Sequence, residues 1–308
     1  MRNVILAHEE LGAPLRALLG DEQIVTTPSQ LSSDAESRSL VTLLATYGNQ
    51  PWDRQALDTY PNLQAIVLYG AGFEGIELTA AQDRRITVMN TPDSVTGDVA
   101  DLAICLYIAA MRRVVQADRH VRNDQWARRE PFAPGSTAGG RRAGIVGLGR
   151  IGSAVAHRCA AINLTVSYYS RSAKNGAAFR FQPDLASLAR ESDVLFICCP
   201  GGAGTRNLVS SAIINSMPRH AFLINVARGS IVDQRALVDA LSRGAIGGAG
   251  LDVFDDEPNV PRELFAMENV VLTPHIGSST HETRRATIEA MAQVIREFAA
   301  GMRSNVIL

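Results

Sequence analysis

The stretch Gly144–Ala160, GIVGLGRIGSAVAHRCA, constrains this chain more than any other. A short apolar run ends in Gly147, Leu148, Gly149, Arg150, Ile151 and Gly152, after which Ile151, Val155 and Cys159 recur at helical spacing. A strand must therefore turn sharply into a helix. In such a turn the first glycine permits the bend, the second lets backbone approach a pyrophosphate, and the third allows close helix–strand packing. The helix start adds N–H groups and a positive dipole end for the anion. A lone G-x-G-x-x-G is a weak signal, but strand–turn–helix context with a second strand on schedule makes dinucleotide binding the stronger reading.

That second strand lies in VSYYSRSAK, residues 166–174, about twenty residues on. An Asp or Glu at its end would bind the ribose 2′-hydroxyl of NAD and repel a 2′-phosphate. Ser170, Arg171, Ser172 and Lys174, the only lysine in 308 residues, offer hydroxyls and positive charge instead. A solvated basic turn would look the same in isolation. Its place after the ribose-facing strand end favours NADP(H), with NAD(H) as the lesser possibility.

The rest of the chain repeats this rhythm. Strands are predicted at residues 3–7, 24–27, 40–46, 63–70 and 86–90, alternating with helical patterns, which is the mark of an open parallel sheet. A long apolar-periodic helix follows over roughly 95–115, then a loop-rich segment at 131–142. Six more apolar strands are predicted within 143–149, 164–170, 193–200, 221–227, 248–254 and 270–275, before a closing helix at 281–301. Net charge is −1, which gives no reason to expect a nucleic-acid or anionic membrane partner, and no apolar run is long enough to span a bilayer. Cys105, Cys159, Cys198 and Cys199 all fall in apolar segments and read as buried free thiols of a cytoplasmic protein. No Cys/His spacing points to a metal.

Ligands of open parallel sheets bind beyond the carboxyl ends of the strands. At three such ends stand Arg228 (after AFLINVA), Glu257 (after GAGLDVF) and His275 (closing VVLTPH). Their chemistry fits reduction of a 2-keto acid. Arg228 can clamp the carboxylate and polarise the carbonyl with its fork of donors. An imidazole at 275 can give a proton to the carbonyl oxygen and take it back near neutral pH. Glu257 can orient that ring. Each also has a bland reading: a helix cap or surface pair for Arg228, a solvated acidic run for Glu257, a structural histidine for His275. Together, behind a dinucleotide fingerprint, the catalytic reading wins.

GLGRIG, NVARGSIVD, GAGLDVFDDEP and LTPHIGSSTHETR, with YGAGFEGIEL and NTPDSVTGDVADLAI nearer the start, resemble the D-isomer-specific 2-hydroxyacid dehydrogenase family over most of the chain. Among its subgroups the chain looks most similar to NADPH-dependent glyoxylate/hydroxypyruvate reductases and hydroxyphenylpyruvate reductases. The resemblance implies two doubly wound α/β domains: a flavodoxin-like substrate domain (1–93 and 280–308) and a Rossmann NADP(H)-binding domain (94–279), with the active site in the cleft between them. It implies the roles above for Arg228, Glu257 and His275, and puts Asp252 on the nicotinamide carboxamide. Cys199, Pro200, Thr205, Val226, Ala227 and Gly277 are further expected cofactor contacts. Backbone N–H groups of Ala71 and Gly72 would receive the substrate carboxylate, with Tyr47, Gly48 and Tyr69 lining the pocket. A homodimer through the cofactor domain is implied as well. Tyr69, Phe73, Trp126 and Phe132 are candidate aromatic pocket walls, and ordinary packing is the alternative for each.

Two other functions compete. One is an oxidative member of the family acting on phosphoglycerate, formate or phosphite. The other is a dinucleotide-sensing, corepressor-like binding protein, which need not retain the Arg228, Glu257 and His275 set.

Overall fold

Five strands form the first sheet: β1 (Val4–Ala7), β2 (Ile24–Thr26), β3 (Val41–Tyr47), β4 (Ala65–Tyr69) and β5 (Thr87–Asn90). All pairings are parallel and the order is β2-β1-β3-β4-β5, the flavodoxin-like arrangement. The structure, a computed structural model, describes residues 3–308. It divides into one unit that runs to Val95 and takes in Thr280–Leu308, and a second that spans Thr96–Ser279.

In the first unit the helix Glu9–Leu19 turns Leu11, Leu15 and Leu19 inward at four-residue spacing. Burying each such leucine is worth roughly 1.5–3 kcal/mol. They meet Ile5, Ala7 and Val67 of the sheet and Met291, Ile295 and Phe298 of the closing helix His281–Ala299. Thr280 starts that helix by accepting the Thr283 N–H at 3.1 Å. Beyond it the chain lies along β5, where Ile307 N–H donates to Val88 O and Val88 N–H to Leu308 O.

The second unit contains β6 (Arg142–Val146), β7 (Thr165–Tyr169), β8 (Arg180–Phe181), β9 (Val194–Ile197), β10 (Phe222–Asn225), β11 (Gly248–Leu251) and β12 (Val270–Leu272). Their order is β12-β11-β10-β9-β6-β7-β8, all parallel. This is the Rossmann order, with the strand reversal between β6 and β9. β9, β10 and β11 are buried along their whole length, as strands covered on both faces must be.

Three expectations need correction. A seventh strand, β8, joins the edge; two residues are too few to show a period. The helix predicted to about 115 stops at Arg112, because Arg113 adopts φ 55° and a new helix runs Val114–Arg122. Cys105 is exposed, since it falls between the buried positions Ala103 and Leu106 of its helix; all four cysteines are free thiols. Among the described residues no helix is long and apolar enough to cross a membrane, and no group of His, Cys, Asp or Glu is arranged to hold a metal ion.

Candidate active site

The glycine turn joins β6 to the helix Arg150–Ala161. Gly147 has φ +96°, and a Cβ there would lie 2.7 Å from the Cys199 backbone beyond β9. A Cβ on Gly152 would stand 1.9 Å from the Gly147 carbonyl oxygen, so the helix could not sit so close to the turn. A Cβ on Gly149 would meet no protein atom within 4 Å. Two of the glycines are thus demanded by the fold, while the middle one borders space that a ligand's phosphates can enter. Gly149 is also the N-cap and makes no side-chain cap hydrogen bond. The first turn's ladder begins only with Ser153 N–H to Gly149 O, so the N–H groups of Arg150, Ile151 and Gly152 point out of the helix start. These residues fit a dinucleotide pyrophosphate.

Beyond β7 the basic turn is locally ordered. Ser170 Oγ donates to Ser172 O at 2.6 Å, and the Lys174 N–H donates to the buried Tyr168 hydroxyl at 2.8 Å. Arg171, Ser172 and Lys174 are exposed. Cys199 and Pro200 follow β9, and Thr205 Oγ1 donates to Pro200 O at 2.8 Å. Val226 and Ala227 follow β10.

Next to them, three strand ends assemble a polar group. Asn225, 1 % exposed at the end of β10, donates through Nδ2 to Arg228 O and accepts the Ala227 N–H, which shapes the turn presenting Arg228. Gly229 then passes so near the β11 loop that a Cβ would lie 1.9 Å from the Phe254 carbonyl carbon. That approach puts the Arg228 turn beside the Glu257 loop. Glu257 Oε1 accepts the Phe254 N–H at 3.0 Å, and Oε2 lies 2.7 Å from His275 Nδ1. Burial works against ionising Glu257, but the hydrogen bonds from His275 and Phe254, with the charges of His275 and Arg228, outweigh it and hold the carboxyl below the usual glutamate value. The His275 side chain is 43 % exposed; with Nδ1 turned to Glu257, Nε2 is the atom left for proton exchange.

Asp252 organises the loop that carries the histidine. It is 1 % exposed and its carboxylate accepts Thr273 Oγ1 (2.6 Å), Ile276 N–H (2.8 Å) and Gly277 N–H (2.8 Å). His275, at φ 53°, also donates its N–H to Asp252 O. Three of about four acceptor positions on this carboxylate are therefore engaged in holding the loop.

In the first unit the turn after β4 is equally well held. Gly70 has φ +79°, its N–H donates to Thr91 Oγ1 at 2.8 Å, and Asn90 Nδ2 donates to Ala71 O at 3.0 Å. Among the described residues neither Ala71 nor Gly72 N–H donates to a backbone carbonyl. A Cβ on Gly48 would lie 1.9 Å from Gly72 O, so the β3 and β4 turns touch through backbone. Tyr47 packs between His8 and Tyr69, with ring centroids 4.9 and 5.0 Å away, and donates to Glu10 Oε2 at 2.9 Å. Burial, then the Glu10 carboxylate, pushes the Tyr47 phenol well up. Phe73 packs against the core, and Phe132 meets His120 at a tilt and lies under Arg113. Trp126 is 72 % exposed.

Asn90, Thr91, Asn225 and Gly229 escaped the sequence reading. Asn225 carried a signal, a polar residue inside the apolar run AFLINVA; Gly229 carried none until its neighbour across the sheet was known.

Comparison with known proteins places the chain in a family. Residues 104–277 match the family described as "D-isomer specific 2-hydroxyacid dehydrogenase, NAD binding domain". Glyoxylate/hydroxypyruvate reductase A of Arabidopsis thaliana is 44 % identical over 76 % of this chain and 74 % of its own length. Hydroxyphenylpyruvate reductase of Plectranthus scutellarioides is 39 % identical over 84 % of this chain and 83 % of its own. The crystal structure of an NADPH-dependent glyoxylate/hydroxypyruvate reductase from Sinorhizobium meliloti, with NADP and malonate, superposes with a TM-score of 0.92 at 33 % identity, covering 100 % of this chain and 97 % of that one. The chain belongs to the D-isomer-specific 2-hydroxyacid dehydrogenase family.

Proposed function

We propose that this protein reduces a small 2-keto acid (hydroxypyruvate, glyoxylate or a phenylpyruvate-like acid) to the D-2-hydroxy acid with NADPH. The observation that carries the reading is the 2.7 Å His275–Glu257 pair with Arg228 presented from the neighbouring strand end. NADPH, when bound, supplies the hydride that adds to C2. The pyrophosphate rests on Gly147, Leu148, Gly149, Arg150, Ile151 and Gly152, and the 2′-phosphate on Ser170, Arg171, Ser172 and Lys174. Cys199, Pro200, Thr205, Val226, Ala227 and Gly277 complete the cofactor's surroundings in the 94–279 domain. Asp252 holds the histidine loop and has one acceptor left for a carboxamide N–H. Arg228 binds the substrate carboxylate and draws charge from the carbonyl oxygen. His275 Nε2 delivers the proton to that oxygen, and Glu257 keeps the ring aligned and stabilises its cation. The 1–93 and 280–308 domain contributes the Ala71 and Gly72 N–H groups to the carboxylate, with Tyr47, Gly48 and Tyr69 as wall.

The protein works as a homodimer through its cofactor domain, a reading supported by the exposure of Val114, Val121 and Trp126 on that unit; light scattering at working concentration tests it. Four free thiols support a reducing, cytoplasmic setting.

The decisive assay is initial-rate oxidation of NADPH and NADH, side by side, with the three keto acids. NADPH-selective turnover is expected, and Arg171→Ala with Lys174→Ala should weaken NADPH about tenfold or more while sparing NADH. Equal weakening of both cofactors removes the basic turn as phosphate reader. If neither cofactor is consumed, the oxidative or sensor reading replaces the reductase.

A further inference from the structure

A cavity of about 220 Å³ lies wholly within the first unit. Its floor is Leu6 and His8 at the end of β1 and Leu44 and Thr46 on β3. These are the two strands between which the 2-1-3-4-5 order reverses, the position where open α/β sheets hold ligands. Leu6 and Leu44 face the core layer opposite the one that takes Tyr47 and Tyr69, while His8, at the edge of the sheet, packs on the Tyr47 ring with centroids 4.9 Å apart.

The wall beyond β3 is rigid. Trp52 N–H donates to Gly75 O (2.8 Å), Glu77 N–H donates to Trp52 O (3.0 Å), and the indole packs on Tyr60 with centroids 6.0 Å apart. Gly75 approaches Gln50 so closely that a Cβ would lie 2.2 Å from the Gln50 carbonyl oxygen. The pocket is thus preformed by backbone contacts. Its polar groups are few. His8 Nδ1 accepts the Glu10 N–H at 3.4 Å, which leaves the neutral ring's proton on Nε2 as a donor. Gln50 adds an amide and Thr46 a hydroxyl, while no Lys, Arg, Asp or Glu lines the space.

We propose that this cavity is a second binding site, for a small aromatic monocarboxylic acid. The volume, roughly that of seven liquid waters, suits a single ring with a short acidic head. Indole and proline surfaces cover the ring. His8 and Gln50 donate to the head, and the absence of a cationic side chain disfavours phosphates and dicarboxylates. The site does not depend on the proposed reductase activity.

The chain has two tryptophans, so Trp126→Phe leaves Trp52 as the only indole reporter. Titration of that variant with benzoate should change Trp52 emission saturably. His8→Phe should weaken binding about tenfold, the worth of one hydrogen bond. Gln50→Phe, or Pro28→Phe at the exposed opposite rim should the first not fold, should abolish saturation by filling the space. A strictly linear emission change, saturation that survives both filled variants, or competitive displacement of benzoate by glyoxylate would each overturn the assignment.

Discussion

The second sheet carries two clusters of one arginine, one carboxylate and one histidine at its opposite ends, and they do different things. At the carboxyl end stand Arg228, Glu257 and His275. At the amino end stand Arg142, Asp193 and His220, where Asp193 accepts the Arg142 N–H (2.8 Å), Nε (3.2 Å) and Nη2 (2.9 Å), and lies 2.9 Å from His220 Nε2. The Asp193 side chain is only 11 % exposed. Burial opposes its charge, yet the bonds from Arg142 and His220 prevail and hold the carboxyl far below the usual aspartate range. That carboxylate is saturated, and the cluster closes the ends of β6, β9 and β10 like a clasp. Glu257 takes one backbone N–H and one ring nitrogen, feels Arg228 through charge, and leaves His275 Nε2 for another partner. Residue types do not separate a clasp from a reaction centre; the end of the sheet and the unspent hydrogen-bonding capacity do.

The contrast breaks most visibly through the histidines. His275→Gln should lower kcat by about 10³-fold with NADPH affinity kept, whereas His220→Gln should leave kcat within about twofold. Steady-state rates and cofactor titration check both, and comparable losses would end the distinction. Arg228→Lys should cut kcat/KM by about 10²-fold, since an ammonium cannot reproduce the guanidinium fork; Arg142→Lys should cost at most about 1 kcal/mol of stability and no rate. Glu257→Gln should lower kcat about tenfold with NADPH affinity kept, because the ring loses the carboxylate that aligns it at Nδ1. The smallest effect on rate belongs to Asp193→Asn, which should reduce stability by about 2 kcal/mol at pH 7 with activity unchanged. Because the folded carboxyl is depressed, its contribution is complete above the ordinary aspartate range and fades as pH falls below about 4. Denaturation curves of variant and wild type should therefore converge in acid; a constant gap would mean that Asp193 acts by packing alone.

Much of this was legible in the chain because parallel strands here are short apolar runs and the chemistry follows each of them. His275 stands out as the residue that closes VVLTPH; His220, just before AFLINVA, raises no such question. The glycine turn announced itself through spacing. β8 did not, since Arg180–Phe181 is too short for a period. The break at Arg113 was hidden by an apolar pattern that continues across it. Asp252 was named for a cofactor contact, while its engagement with Thr273, Ile276 and Gly277 is a matter of three-dimensional closure that spacing does not encode.

The closing helix sets an order of events during synthesis. Residues 96–279 form an uninterrupted unit that can fold as soon as it leaves the ribosome. The first sheet, made earlier, must wait for Met291, Ile295 and Phe298 before its β1 and β4 face is covered, so of the two units the one begun earlier is completed later.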